Sequence, residues 1–94
     1  MPPDTKKSVQ ADQCRAARAL LGWSQDDLER EAGVAKKTIA DFERGARTPY
    51  PRTLADIRSA FERAGLEVID PNGGGAGVRW RENPANGGAN EQPA

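Results

Sequence analysis

Between Lys36 and Arg52 the chain gathers Lys36, Lys37, Arg44, Arg47 and Arg52 against only Asp41 and Glu43. Lysine ammonium groups donate to guanine O6 and N7, and a carboxylate accepts from cytosine N4. Guanidinium groups clamp phosphates without reading sequence. These residue types therefore point to nucleic-acid contact, with Lys36, Lys37, Thr38 and Asp41 on the part that could read base edges. Asp41 also stands four residues after Lys37, the spacing of a simple ion pair on a helix, and that reading is favoured for it. Catalysis has little to work with. The chain has no histidine, and Cys14 is its only cysteine, so neither an internal disulfide nor a thiolate metal cluster is available. Asp26 and Asp27 are adjacent carboxylates without a partner placed for acid–base work; they suit the positive end of a helix instead.

Short helices must position these groups. Ser24 is a good N-cap, and Leu28 and Ala32 lie one turn apart on the helix that follows. Gly33 supplies the left-handed backbone of a tight turn. A next helix runs from about Ala35 to Arg44 with Ile39 and Phe42 inward, and Gly45 stops it. This arrangement from Ser24 to Gly45 is a helix-turn-helix, which lays its second helix in the major groove of double-stranded DNA. Upstream, Cys14, Ala17 and Leu21 give a helix over about 10–21 its inner face, ended by Gly22, and Trp23 is expected to pack between this helix and the next. Downstream, Pro51 suits the first turn of a fourth helix to about Ala64, whose stripe is Leu54, Ile57 and Phe61.

After Gly65 the pattern changes. Residues 66–69 look extended, and Val78 to Arg81 alternates apolar and basic residues as a half-exposed strand does. The reading is thus a loose arm over 1–9, a helical domain over 10–65, a β-hairpin over 66–81 and a disordered tail over 82–94. Formal net charge is zero. Its distribution matters more than its sum, because the acids crowd residues 26–31 and the bases follow. Neither a membrane-length apolar run nor a signal-peptide pattern is present, so a soluble cytoplasmic protein is expected.

Residues Arg18, Gly22-Trp23-Ser24-Gln25, Leu28, Ala32-Gly33-Val34, Thr38-Ile39, Phe42-Glu43-Arg44-Gly45, Arg47, Pro49 and Thr53-Leu54 stand in order over more than half the chain. In this the chain resembles the phage-repressor or Xre-type (Cro-like) helix-turn-helix regulators. The resemblance implies a mostly α, compact four-helix lambda-repressor-like domain, here followed by a short C-terminal β-strand pair. It implies Lys36 to Arg44 as recognition helix, and phosphate contacts from Ser24, Gln25, Arg44, Arg47 and Arg52. It also implies a structural ion pair between Arg18 and Glu43. Two positions depart from the family. Glu29 replaces a residue that is usually small, so either the helices splay slightly or its side chain leans outward. Ala35 replaces a capping Ser or Thr, a deficit of roughly 1 kcal/mol.

The expected partner is double-stranded DNA, bound as a homodimer, with no cofactor, metal, membrane or enzymatic activity. Two isolated strands are marginal in water, so Val68, Ile69, Val78 and Trp80 must pack on the helices or against another copy. Pairing between copies through these four residues is the working expectation, and a hairpin folded back on its own helices is nearly as good. Other functional readings are an antitoxin that represses its own operon, with the tail as toxin-binding segment, and a protein-binding adaptor that has lost base reading.

Overall fold

The computed structural model describes residues 8–82. The rest of the expected arm and nearly all of the expected disordered tail lie outside the described residues. The elements are α1 (Ala11–Leu21), α2 (Gln25–Ala32), α3 (Lys36–Glu43), α4 (Pro51–Arg63), β1 (Leu66–Ile69) and β2 (Gly77–Trp80). The two strands form one antiparallel sheet.

The largest fully buried side chains are Phe61, Leu28, Ile39, Ile57, Leu66 and Cys14. Every helix and the first strand contributes at least one of them. Each such residue gains roughly 1.5–3 kcal/mol from full burial when it is a large aliphatic or aromatic, so the helices are stable only together. Backbone chemistry sets the boundaries. Gly22 and Gly33 close α1 and α2 with φ of +70°, a conformation that costs other residues roughly 1–2 kcal/mol. Ser24 and Asp27 cap α2 reciprocally: the Ser24 Oγ accepts from the Asp27 N–H at 3.0 Å, and the Asp27 carboxylate accepts from the Ser24 N–H at 2.9 Å.

Three packing details differ from the sequence reading. Val9, assigned to the arm, is in the core at 3% exposure, and the Ser8 carbonyl accepts from Arg58 at 2.9 Å. A single apolar residue ahead of a helix carries no periodicity, so only the tertiary contact reveals it. Trp23 packs its ring against Phe61 of α4, with ring centroids 6.0 Å apart, a partner that the sequence reading did not name. Leu21 is only half-buried at the edge of the core, whereas Gln13 on α1 is buried at 4% exposure.

The strand register is Leu66↔Trp80, Glu67↔Arg79, Val68↔Val78 and Ile69↔Gly77. β2 therefore begins at Gly77, one residue before the expected strand, and ends one residue earlier. Because side chains alternate faces, Leu66, Val68, Val78 and Trp80 share one side and Glu67, Ile69 and Arg79 the other. The apolar side covers the helices: Leu66 and Val68 are buried, and Val78 and Trp80 pack against the same core. Glu67 and Arg79 pair on the outer side at 2.9 Å.

Buried amide chemistry fastens this hairpin to α1. Gln13 Nε2 donates to the Ile69 and Gly77 carbonyls at 2.8 and 2.9 Å, while its Oε1 accepts from the Gln10 N–H at 2.8 Å. On the other side Arg58 of α4 donates to Asp70 at 2.9 Å and to the Val68 carbonyl at 3.1 Å. The hairpin thus folds back on its own helices. Of the four residues expected at a contact between copies, Val68 is buried within the chain, and Val78 and Trp80 pack half-buried against the same core.

Candidate nucleic-acid interface

α3 carries its cations at its exposed start. Ile39 and Phe42 are buried, Lys36 and Lys37 are exposed, and Thr38 and Asp41 are half-buried. The end of α3 is held by Glu43, which is only 4% exposed. Its Oε1 accepts from Arg18 Nη2 at 2.7 Å and from Gln25 Nε2 at 3.0 Å. Its Oε2 accepts from Arg18 Nε at 2.8 Å and from the Cys14 thiol at 3.0 Å. Arg18 also donates to the Trp23 carbonyl at 3.0 Å, and Arg15 donates to the Glu43 carbonyl. One carboxylate thus ties α1, the start of α2 and the end of α3 together, and the fork of Arg18 fixes its plane.

Burial alone would push the Glu43 carboxyl up, but the bonds from Arg18, Cys14 and Gln25 outweigh it and hold it below the usual range. The same contact raises Arg18. Burial first, and then the bond to Glu43, drives the Cys14 thiol far above its ordinary value, so it is a protonated donor inside the core. The Arg18–Glu43 pairing expected from the resemblance is present; the contributions of Cys14 and Gln25 to it are not legible in spacing.

The two departures from the family meet in space. Glu29 leans outward, and its Oε2 accepts from the Lys36 N–H at 3.3 Å, at the start of α3. Ala35 offers no side-chain cap of its own. The carboxylate on α2 therefore supplies what position 35 lacks, and the start of α3 is not left bare, as Ala35 alone implied.

Lysines and arginines near this face divide into two groups. Lys36 pairs with Asp26 at 3.1 Å, Lys37 with Asp41 at 3.4 Å and Arg44 with Asp41 at 2.8 Å. The bond from Arg44, ahead of the one from Lys37, keeps Asp41 below the normal carboxylate range. Arg47 and Arg52 are exposed and form no salt bridge among the described residues. Ser24 uses its hydroxyl oxygen within the cap, which leaves its O–H hydrogen for an outside acceptor. Gln25 spends one amide hydrogen on Glu43 and keeps a second. Among the described residues no cluster of His, Cys, Asp or Glu could hold a metal ion, and no helix is long and apolar enough to cross a membrane.

A sequence model of the helix-turn-helix family matches residues 15–67, more than half of the chain. No curated protein matches it. The matched span runs from α1 into β1 and contains the whole Glu43 cluster except Cys14.

Proposed function

The chain belongs to the Xre or lambda-repressor-like helix-turn-helix family of DNA-binding transcriptional regulators, and from that premise we propose a cytoplasmic, sequence-specific repressor that binds a palindromic operator as a dimer. The observation that carries this reading is α3 itself: its apolar side is locked into the core, its aim is fixed through Glu43, and its exposed first turn presents Lys36 and Lys37. In this reading Lys36 and Lys37 donate to base edges, and Thr38 meets a phosphate or a thymine methyl. Asp41 orients Lys37 and Arg44 ahead of reading any base. Ser24, Gln25, Arg44, Arg47 and Arg52 hold the phosphates on either side.

The dimer follows from size. A helix of eight residues is about 12 Å long and spans roughly four base pairs, too little sequence to single out an operator. A second copy with its recognition helix about 34 Å away doubles what is read. Most of the hairpin's apolar face packs within the chain, so contact between copies draws on a strand edge, on Ile69 of the outer face, on the half-exposed Val78 and Trp80 or on the helices.

Selection on random duplexes by gel shift tests the proposal. One two-fold symmetric motif is expected, bound by two copies per duplex in light scattering. Lys36→Ala and Lys37→Ala relax preference at particular bases by about 1–3 kcal/mol each. Arg47→Ala and Arg52→Ala weaken binding to every sequence and flatten the salt dependence by about one unit each. Failure to enrich any motif at low salt sinks the reading, and enrichment of an asymmetric motif bound by one copy removes the dimer from it.

A further inference from the structure

Every cation on the recognition helix is already held by an acid of the same chain. Lys36 reaches across to Asp26 on α2, and Asp41 takes both Lys37 and Arg44. The arginines beyond the helix, Arg47 and Arg52, have no such partner among the described residues. We propose that Asp26 and Asp41 are specificity-determining residues: they neutralise Lys36, Lys37 and the phosphate-facing Arg44 against random DNA and release them only at a matched site. This deepens the reading above and rests on it.

The physical basis is the way non-specific affinity arises. Binding to arbitrary duplex comes from cations that displace condensed counterions from phosphates. A lysine with a carboxylate at its ammonium brings little net charge to that exchange. The pairs are not strong enough to block a better partner. Lys36 and Asp26 are 52% and 65% exposed, and exposed pairs contribute little. A guanine edge offers two acceptors in fixed positions, so it can replace the carboxylate contact. A passing phosphate also offers acceptor oxygens, but it lies on the strand and not on the groove floor where α3 points. A lysine that leaves its carboxylate for it exchanges one anion for another. Steric access is unequal in a useful way: Lys37 is 82% exposed while Asp41 is 14% exposed, so the acid stays in place while the lysine swings. The zero net charge of the chain fits the same division, with Arg47 and Arg52 left to provide general affinity.

The test uses the full chain with Asp26→Asn, Asp41→Asn and the double substitution. Fluorescence anisotropy reads binding to a mixed-sequence 30-base-pair duplex and to the duplex enriched by selection, between about 50 and 200 mM KCl. The double variant is expected to bind the mixed duplex about tenfold tighter, with a salt slope steeper by up to about two units. On the enriched duplex the gain is about two- to threefold, so discrimination falls by about threefold or more. The Asp26→Asn effect disappears in a Lys36→Gln background, because the carboxylate acts through that lysine. Equal gains on both duplexes, no gain on the mixed duplex, or an Asp26→Asn effect that survives Lys36→Gln each overturns the inference. Asp26 is well exposed, so Asp26→Asn remains a test even if Asp41→Asn disturbs the fold. A wild-type chain that binds both duplexes equally defeats the proposed function itself; a discriminating wild type whose ratio is unmoved in the variants defeats only this inference.

Discussion

At the scale of single residues, Glu43 is the most consequential side chain in the molecule. It is a buried charge whose Oε1 takes bonds from Arg18 and Gln25 and whose Oε2 takes bonds from Arg18 and Cys14. Removing one partner of such a pair leaves a charge in a poor medium. Arg18→Ala is therefore expected to cost about 3 kcal/mol of stability, readable in a urea titration. Arg18→Lys keeps the charge but loses the fork, and recovers only part of that loss. Acid exposes the same residue. The folded Glu43 carboxyl lies below its ordinary value of 4.5, so its contribution is complete above that pH and drains away as pH falls through the depressed folded value. Thermal melts from pH 7 to pH 3 are expected to fall more steeply for wild type than for Glu43→Gln; parallel curves refute the assignment.

At the scale of elements, the start of α3 depends on a carboxylate from its neighbour. Glu29→Ala is expected to free the first turn of α3, raising amide hydrogen exchange at Lys36 and costing about 1 kcal/mol. Placing Ala35→Ser in that background supplies the cap locally and restores protection, whereas the same change in wild type adds little. If Glu29→Ala leaves exchange at Lys36 unchanged, the cap is only apparent. This element also shows how far sequence reading reaches. Helix limits were legible because Gly22, Gly33, Ser24 and Pro51 act on their own backbone and nearest neighbours. The compensation between Glu29 and Ala35 was not, because it joins positions on different helices and depends on where an outward side chain comes to rest.

For the whole molecule, the hairpin and the helical domain share one core. β1 rests on α4, β2 on α1, and Gln13 bridges the strand pair from within α1. Gln13→Ala removes partners from two carbonyls and is expected to lower stability by about 2 kcal/mol. It also raises exchange in Val78 and Trp80 together with α1. Loosening of α1 alone, with the hairpin unaffected, contradicts a shared body. Gln13 sat unremarked in the sequence because glutamines on short helices are common. Burial turned it into a fastening, and no spacing rule anticipates a contact with residues 56 and 64 positions away.

Sequence alone determined the helix-turn-helix, the inward residues Leu28, Ile39 and Phe42, the basic run after Lys36 and the pairing of Arg18 with Glu43. Periodicity, turn chemistry and charge order are written locally, and the family motif carries the one long-range pair. Tertiary structure decided which surfaces remain available. Val9 went into the core, Val78 and Trp80 against it, the ring of Trp23 onto Phe61 of α4, and Lys36 and Lys37 to Asp26 and Asp41. Those outcomes depend on competition among distant groups for the same apolar area or the same charge, and only the folded arrangement resolves that competition.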